Sequence, residues 1–188
     1  GRFAALTNFR KFPLDEFETS RGDLVKDFLI GADHPNDYMN YLRDNGMNFD
    51  GFNLIFGNHE DLYYFSNRGP NSKLNPSVYG LSNHLLDTPW PKVSKGKNSL
   101  TENLHNQHIN KEKMFQILAN EDKAEDEFLP DTGIGLEKER MLSPIFIKSP
   151  NYGTRLYTYL TIDNDGLVEF HERSFIPEND NKFEFKIG

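Results

Sequence analysis

Cysteine is absent from the 188 residues. That excludes a disulfide framework, a thiolate metal site and a thiol nucleophile within this stretch. Long apolar runs are missing as well. None approaches the roughly 18 consecutive residues of a membrane-spanning helix, and no secretory leader pattern stands in these residues. Positive charge is in short supply, with 21 Lys and Arg against 29 Asp and Glu and a net charge of −8. A nucleic-acid partner needs a basic patch or stripe, and an anionic membrane surface needs a polybasic segment, so both are disfavoured as partners. There is no phosphate loop, no GxGxxG between a strand and a helix, and no GxSxG elbow. Internal repeats, heptads and low-complexity runs are absent too. What the chain does have is aromatic bulk, 16 Phe and eight Tyr within a hydrophobic fraction of 36%. Its length suits one domain able to bury roughly two-thirds of its unfolded surface.

The pattern predicts a strand over residues 1–9 that ends at Asn8. A polar loop from Arg10 to Thr19 follows, carrying Pro13, which cannot serve a central strand. Ser20 reads as the N-cap of a helix of about ten residues with Leu24, Val25, Phe28 and Leu29 on its apolar face. A second helix is expected from Pro35 through Arg43, stopping near Asn45-Gly46. Phe52–Phe56 and Leu62–Phe65 flank a turn-rich Gly57–Asp61 and read as a hairpin. Val78–Ser82 is expected as a short strand. Helices are expected over 91–106 and 110–119, then an acidic exposed loop from Asn120 to Arg140. Four strands close the chain, at Pro144–Ile147, Leu156–Ile162, Leu167–Phe175 and Phe183–Ile187, with Asp163–Gly166 as a hairpin turn. Without a regular βαβ rhythm, this order predicts an α+β fold on antiparallel sheet.

Three polar residues stand where strands end or loops begin: Asn8 in "LTNF", Asn83 in "YGLSNHLLDTPW" and Arg155 in "PNYGTRLYT". An amide at a strand end can aim its N–H at an oxyanion, and an Arg after a turn can clamp a carboxylate. Each is equally an ordinary turn or surface residue. His105 and His108, three apart on a predicted helix, lack a third ligand and read as exposed. Glu169, His171 and Arg173 share one face of a strand and read as a solvent-facing polar stripe. Glu121–Glu127 reads as a solvated acidic loop. Trp90, between two prolines, is a core plug or the wall of a pocket for a flat ligand.

Taken in order, "GRFAALTNFR", "NGMNFDGFNLIFG", "YYFSNRG", "YGLSNHLLDTPWPKV" and "SPNYGTRLYTYLTIDNDGLVEFHERSF" resemble the Transport and Golgi Organization protein 2 family. It is also called the NRDE family, after an Asn-Arg-Asp-Glu motif. The resemblance runs from Gly1 to about Ile187 and is weakest over 93–140. Family members carry, ahead of the "G.LAALTN" strand, a segment with a Cys at position two and the NRDE motif, and neither occurs here. The resemblance therefore implies that residues 1–188 are a single domain forming the C-terminal part of a longer NRDE-family domain. It implies an N-terminal-nucleophile hydrolase-like αββα sandwich with mainly antiparallel sheets, lacking its first strands. In hydrolases of that fold, the first residue supplies both nucleophile and base. Asn8 and Asn83 match the two pocket amides of the bile-salt-hydrolase branch, and Arg155 matches its Arg. On its own such a fragment is expected to expose apolar sheet edges and to aggregate.

The resemblance supports two readings of function. In the preferred one the protein binds or traffics an amphipathic small molecule of the haem or acyl-CoA/lipid type. Aromatics such as Phe3, Tyr79 and Trp90 would wall the pocket, and Arg155 would meet the carboxylate or phosphate end of the ligand. Haem would be a transported ligand, transiently held, with His84 the nearest axial candidate. In the alternative the protein is a cysteine N-terminal-nucleophile amidohydrolase cleaving a C–N bond of an acyl-amide substrate. Its nucleophile would lie in the preceding segment, and Asn83 and Asn8 would hold the oxyanion. The expected partners are the amphipathic molecule and the protein's own preceding segment. The expected compartment is the cytoplasm for a bacterial source, or the cytosol, mitochondria or Golgi-associated membranes for a eukaryotic one.

Overall fold

Ser20 accepts a hydrogen bond from the Gly22 N–H at 3.2 Å and starts helix α1, Arg21–Ile30. Leu24 and Phe28 are one helical turn apart and both buried. The computed structural model describes residues 1–12, 17–105 and 109–187. Pro13, in the predicted Arg10–Thr19 loop, and His108, of the predicted His pair, lie outside the described residues. The described chain is α+β with antiparallel sheets and divides into two units, Gly1–Thr88 and Pro89–Gly188. No helix among the described residues is long and apolar enough to cross a membrane.

In the first unit, strand β1 (Phe3–Asn8) precedes α1, and α2 (Pro35–Asn45) follows it with Pro35 at the start. Strands β2 (Phe52–Gly57), β3 (Leu62–Ser66) and the two-residue β4 (Ser72–Lys73) complete an antiparallel sheet ordered β1-β2-β3-β4. The register sets Leu6 opposite Leu54 and Leu54 opposite Phe65. One sheet face therefore carries Phe52, Leu54, Phe56, Tyr63 and Phe65, packed with Leu24, Phe28, Tyr38, Met39 and Leu42 from the helices. Tyr38 donates its hydroxyl to the Leu24 carbonyl at 2.7 Å, tying α2 to α1, and burial pushes its pKa up. Arg2 reaches from the edge of β1 to the Phe28 carbonyl at 2.8 Å and lays its guanidinium 3.9 Å over the Phe28 ring. Residues Val78–Ser82 are not the expected strand. Gly80 spends its N–H on the Asp87 carboxylate at 2.7 Å and its carbonyl on the Asp87 N–H at 2.8 Å. The backbone groups a ladder would need are taken by the loop itself.

The second unit holds α3 (Pro91–Leu104), α4 (Lys111–Leu118), a 3-10 turn at Asp126–Phe128 and α5 (Leu136–Leu142). An antiparallel sheet follows, β5 (Leu156–Ile162), β6 (Leu167–Phe175) and β7 (Glu178–Lys186) in that spatial order. The β5–β6 hairpin turns where expected. Asp163 accepts from the Asp165 and Leu167 N–H groups at 2.9 and 2.8 Å, and Gly166 takes a φ of 75°. A Cβ at Gly166 would also lie 2.8 Å from the Ile187 carbonyl oxygen, so glycine is needed on two counts. Pro144–Ile147 is not a strand. The Phe146 N–H goes to the Asn120 carbonyl and the Ile147 N–H to the Thr154 hydroxyl, leaving one isolated bridge, Lys148 with Gly153. The acidic segment is less irregular than expected, because α5 occupies its end from Leu136.

The Glu169, His171, Arg173 stripe is not solvent-facing, since helix α4 covers it. Phe115 is 3% exposed and sits edge-on to His171, ring centroids 4.7 Å apart. Arg173 stacks 3.9 Å over the Phe115 ring and donates to Glu112 at 3.0 and 3.3 Å, while Lys111 pairs with Glu169. Alternation identifies the residues that share a face but not the element that covers them. His171, itself 1% exposed, donates to the Asp180 carboxylate across the β6–β7 pair.

That bond holds the Asp180 carboxyl below its ordinary pKa, and the Arg173 guanidinium does the same for Glu112. Carboxyls depressed by folding stabilise the folded state above their unfolded pKa values, and lose that contribution as pH falls through the folded ones. The second unit should therefore hold a constant thermal midpoint above about pH 5 and lose stability on acidification below it. Asp180→Asn should flatten part of that acid limb, which circular dichroism melts from pH 3 to 7 would measure. An unchanged limb would deny the His171–Asp180 bond a stabilising role.

Candidate functional site

The face of the first sheet turned away from the helices is polar near the end where β1 and β3 finish and β2 begins. Thr7, Asn53 and Ser66 stand side by side on β1, β2 and β3, with Tyr64 one pair further along opposite Ile55. Asn53 is fully buried and Tyr64 is 2% exposed. An uncompensated amide or hydroxyl there would cost several kcal/mol, about 2–7 by transfer measurements. Each is satisfied. Asn53 donates one amide hydrogen to the Thr7 hydroxyl at 3.1 Å and the other to the His84 carbonyl at 3.0 Å. Its carbonyl accepts from the Tyr64 hydroxyl at 2.8 Å. The Tyr64 oxygen accepts the Leu86 N–H at 3.1 Å, and Thr7 donates to the Ser82 carbonyl at 2.7 Å. Burial pushes the Tyr64 pKa up and keeps its hydroxyl protonated.

These bonds seat the loop Gly80–Thr88, and the loop carries Asn83. The Asn83 carbonyl accepts the Arg10 N–H at 2.6 Å, its side-chain N–H donates to the Asn8 carbonyl at 3.1 Å, and its side-chain oxygen lies 3.5 Å from the Arg10 guanidinium. Asn8 and Asn83, both expected in the site, are thus brought together at the end of β1. They are held differently. The Asn8 side chain is exposed and has no hydrogen-bond partner among the described residues. It lines a surface depression of about 390 Å³ with Leu6, Phe17, Thr19, Arg21 and Asp50, beside the start of α1. Arg21 is anchored there by Asp50 at 2.8 Å and the Gly51 carbonyl at 3.0 Å.

The other expected residues fall as follows. Tyr79 donates its hydroxyl to the Asn75 carbonyl at 3.0 Å within its own loop. His84 is half-buried, its ring 4.7 Å from that of Phe9, with Nδ1 bonded to the Thr88 hydroxyl at 2.8 Å. Desolvation lowers its pKa, which favours the neutral imidazole. Trp90 belongs to the second unit, 8% exposed, where its carbonyl accepts the Val93 and Ser94 N–H groups and begins α3. Arg155, also in the second unit, is exposed, and its guanidinium has no partner among the described residues. A depression of about 460 Å³ among α3, α4 and Ile145 is larger than the one at Asn8, but none of the expected site residues lines it. The smaller one is the better candidate. No group of three His, Cys, Asp or Glu among the described residues is placed to hold a metal ion.

Asn53, Tyr64 and Thr7 were not singled out from the sequence. A signal was there in "GFNLIFG", where an Asn, a poor strand former, interrupts an apolar run.

The family model described as Transport and Golgi organisation 2 matches residues 1–177. A Transport and Golgi organization protein 2 homolog from Homo sapiens is 34% identical over 194 residues, covering 95% of this chain and 70% of the relative. The Bos taurus homolog is 33% identical over 202 residues, covering 98% and 72%. A Mus musculus homolog is 30% identical over 199 residues, with the same coverage of both chains as the Bos taurus protein.

Asp87 closes the loop at a φ of 59°, a left-handed conformation that Asp and Asn tolerate better than other residues with a side chain. Asp87→Ala should destabilise the chain by about 1–2 kcal/mol, through left-handed strain and loss of the Gly80 bond. Asp87→Asn keeps an acceptor oxygen and the conformational tolerance and should stay within about 0.5 kcal/mol of the parent. Urea denaturation of the two variants would measure the difference.

Proposed function

The chain belongs to the Transport and Golgi organisation 2 family, and from that premise we propose that it binds and passes on an amphipathic small molecule of the haem or acyl-CoA/lipid type. The observation that carries this reading is the exposed Asn8 amide, without a protein partner among the described residues, at the lip of the depression beside α1. Such an amide, lining the depression with Thr19 and Arg21, suits the oxygen-rich end of such a ligand, and Leu6 and Phe17 suit its apolar part. Arg155, exposed and without a partner among the described residues, is a second candidate for a carboxylate or phosphate, considered independently of Asn8. The single Trp, Trp90, offers a fluorescence reporter.

An amidohydrolase is the second reading, favoured by one feature. Asn83 is anchored and retains one amide hydrogen beyond its bond to Asn8. A fixed amide of that kind is what an oxyanion requires. In that case the acyl group would be held covalently by a nucleophile outside these residues.

Titration of the protein with haem, followed by Soret absorbance, and with a long-chain acyl-CoA, followed by Trp fluorescence, should give a saturable response to at least one. Asn8→Ala should weaken it by about tenfold, the equivalent of one well-formed hydrogen bond to a charged group, and Arg155→Ala tests the second candidate separately. No saturable response to either ligand would overturn the binding reading. In a longer form of the chain bearing an N-terminal Cys of the kind the family resemblance implies, a mass increase on incubation with an acyl amide would install the hydrolase in its place if removal of that Cys abolished it.

A further inference from the structure

We infer that Asn53, acting through Thr7 and Tyr64, is the residue that positions the candidate site, by fixing the backbone path of Gly80–Thr88 before any ligand arrives. The inference rests on the reading of the Asn8–Asn83 region as the ligand site.

The three loop groups that the sheet holds are the carbonyls of Ser82 and His84 and the N–H of Leu86. They are spaced two residues apart along a segment that itself bends and turns, so the sheet holds it at alternate residues. Asn83 lies between two of them and faces the end of β1 instead. No strand ladder is available to the loop, because Gly80 and Asp87 have closed on each other. Side chains of the sheet therefore replace the ladder. Gly69 adds a close contact: a Cβ there would lie 2.4 Å from the end of the Leu85 side chain, which would have to turn aside.

An apolar residue at position 53 would serve the sheet itself as well or better, since Asn is depleted in strands. Asn53 is matched to the loop instead: both amide hydrogens and the carbonyl oxygen are spent, and two of the three bonds pass to the loop directly or through Tyr64. A loop held this way meets a ligand without paying to be ordered first.

Thr7 offers the mildest test, because it is half-buried and valine is itself a good strand former. Thr7→Val removes the hydroxyl that links Asn53 to Ser82, whereas Thr7→Ser retains it. Tyr64→Phe removes the acceptor of the Leu86 N–H, and Asn53→Leu removes the hub. Native-state hydrogen exchange at the Arg10 and Leu86 amides should accelerate at least about tenfold in Thr7→Val and Tyr64→Phe, and return to the parent rate in Thr7→Ser. Affinity for the responding probe, haem or palmitoyl-CoA, should fall by about tenfold in the first two and be restored in Thr7→Ser. If Asn53→Leu does not fold, the Thr7 pair still decides the matter. Unchanged exchange in Thr7→Val and Tyr64→Phe would overturn the positioning role. Faster exchange with unchanged affinity would make the network structural only and overturn it too. A parent protein that binds neither probe would overturn the ligand-site reading itself, and with it the role of Asn53 in serving that site.

Discussion

A side-chain amide buried near the start of an inner strand must use every hydrogen bond it can make, and in this chain that requirement organises one end of a sheet face. Asn53 has no water to fall back on. Its two hydrogens and its oxygen can be satisfied only by groups brought to it, and those groups are the Thr7 and Tyr64 hydroxyls and the His84 carbonyl. Bringing the His84 carbonyl there fixes the path of the Gly80–Thr88 loop. That path in turn sets Asn83 against Asn8. Buried polar networks are costly when incomplete and specific when complete. This one is complete at Asn53, so geometry at the end of β1 follows from a requirement one residue in from the start of β2.

The two faces of the first sheet divide the labour. Toward α1 and α2 the sheet presents Phe52, Leu54, Phe56, Tyr63 and Phe65, all at 7% exposure or less. Each such side chain contributes about 1.5–3 kcal/mol on burial, so this face carries the stability. Hydrogen bonds on the opposite face contribute about 1 kcal/mol net apiece, too little to hold the fold by themselves. Directionality is what they add. Apolar packing tolerates exchange of shapes of similar volume, whereas an amide accepts partners only within narrow limits of distance and angle. The second unit mixes the two kinds of contact on a single face, where Phe115 of α4 packs on His171 while Lys111 and Glu112 pair with Glu169 and Arg173.

Local signals in the sequence located most elements. Ser20 and Pro35 start their helices as capping chemistry requires, and the Asp163–Gly166 turn closes its hairpin. Failures came where long-range partners decide. Val78–Ser82 has the composition of a strand, yet Asp87 takes the backbone groups of Gly80. The polar run Glu178–Lys182 has no alternation to betray a strand, yet it pairs in register with β6 from Phe175 opposite Glu178 onward. Reading Glu169, His171 and Arg173 as one face was correct, but nothing local could place α4 on top of them. The site was less legible still. Asn8 and Asn83 are 75 positions apart, and only their family resemblance joined them before the hydrogen bond between them did. Asn53, which sets that bond, looked like one Asn among many.

The unequal circumstances of those two amides bear on what the site does. Electrostatic stabilisation of a transition state depends on donors that are already fixed where charge will develop. Asn83 meets that condition: its backbone and side chain are held by Arg10 and Asn8, and its loop by three side chains of the sheet. Asn8 does not, because its side chain is exposed and unengaged among the described residues. A catalytic pair of amides would be expected to share the same rigidity, since a freely turning donor gives back in reorganisation what it offers in attraction. The two amides therefore differ in how they are held, Asn83 by its bonds to Arg10 and Asn8 and the Asn8 side chain by no partner among the described residues.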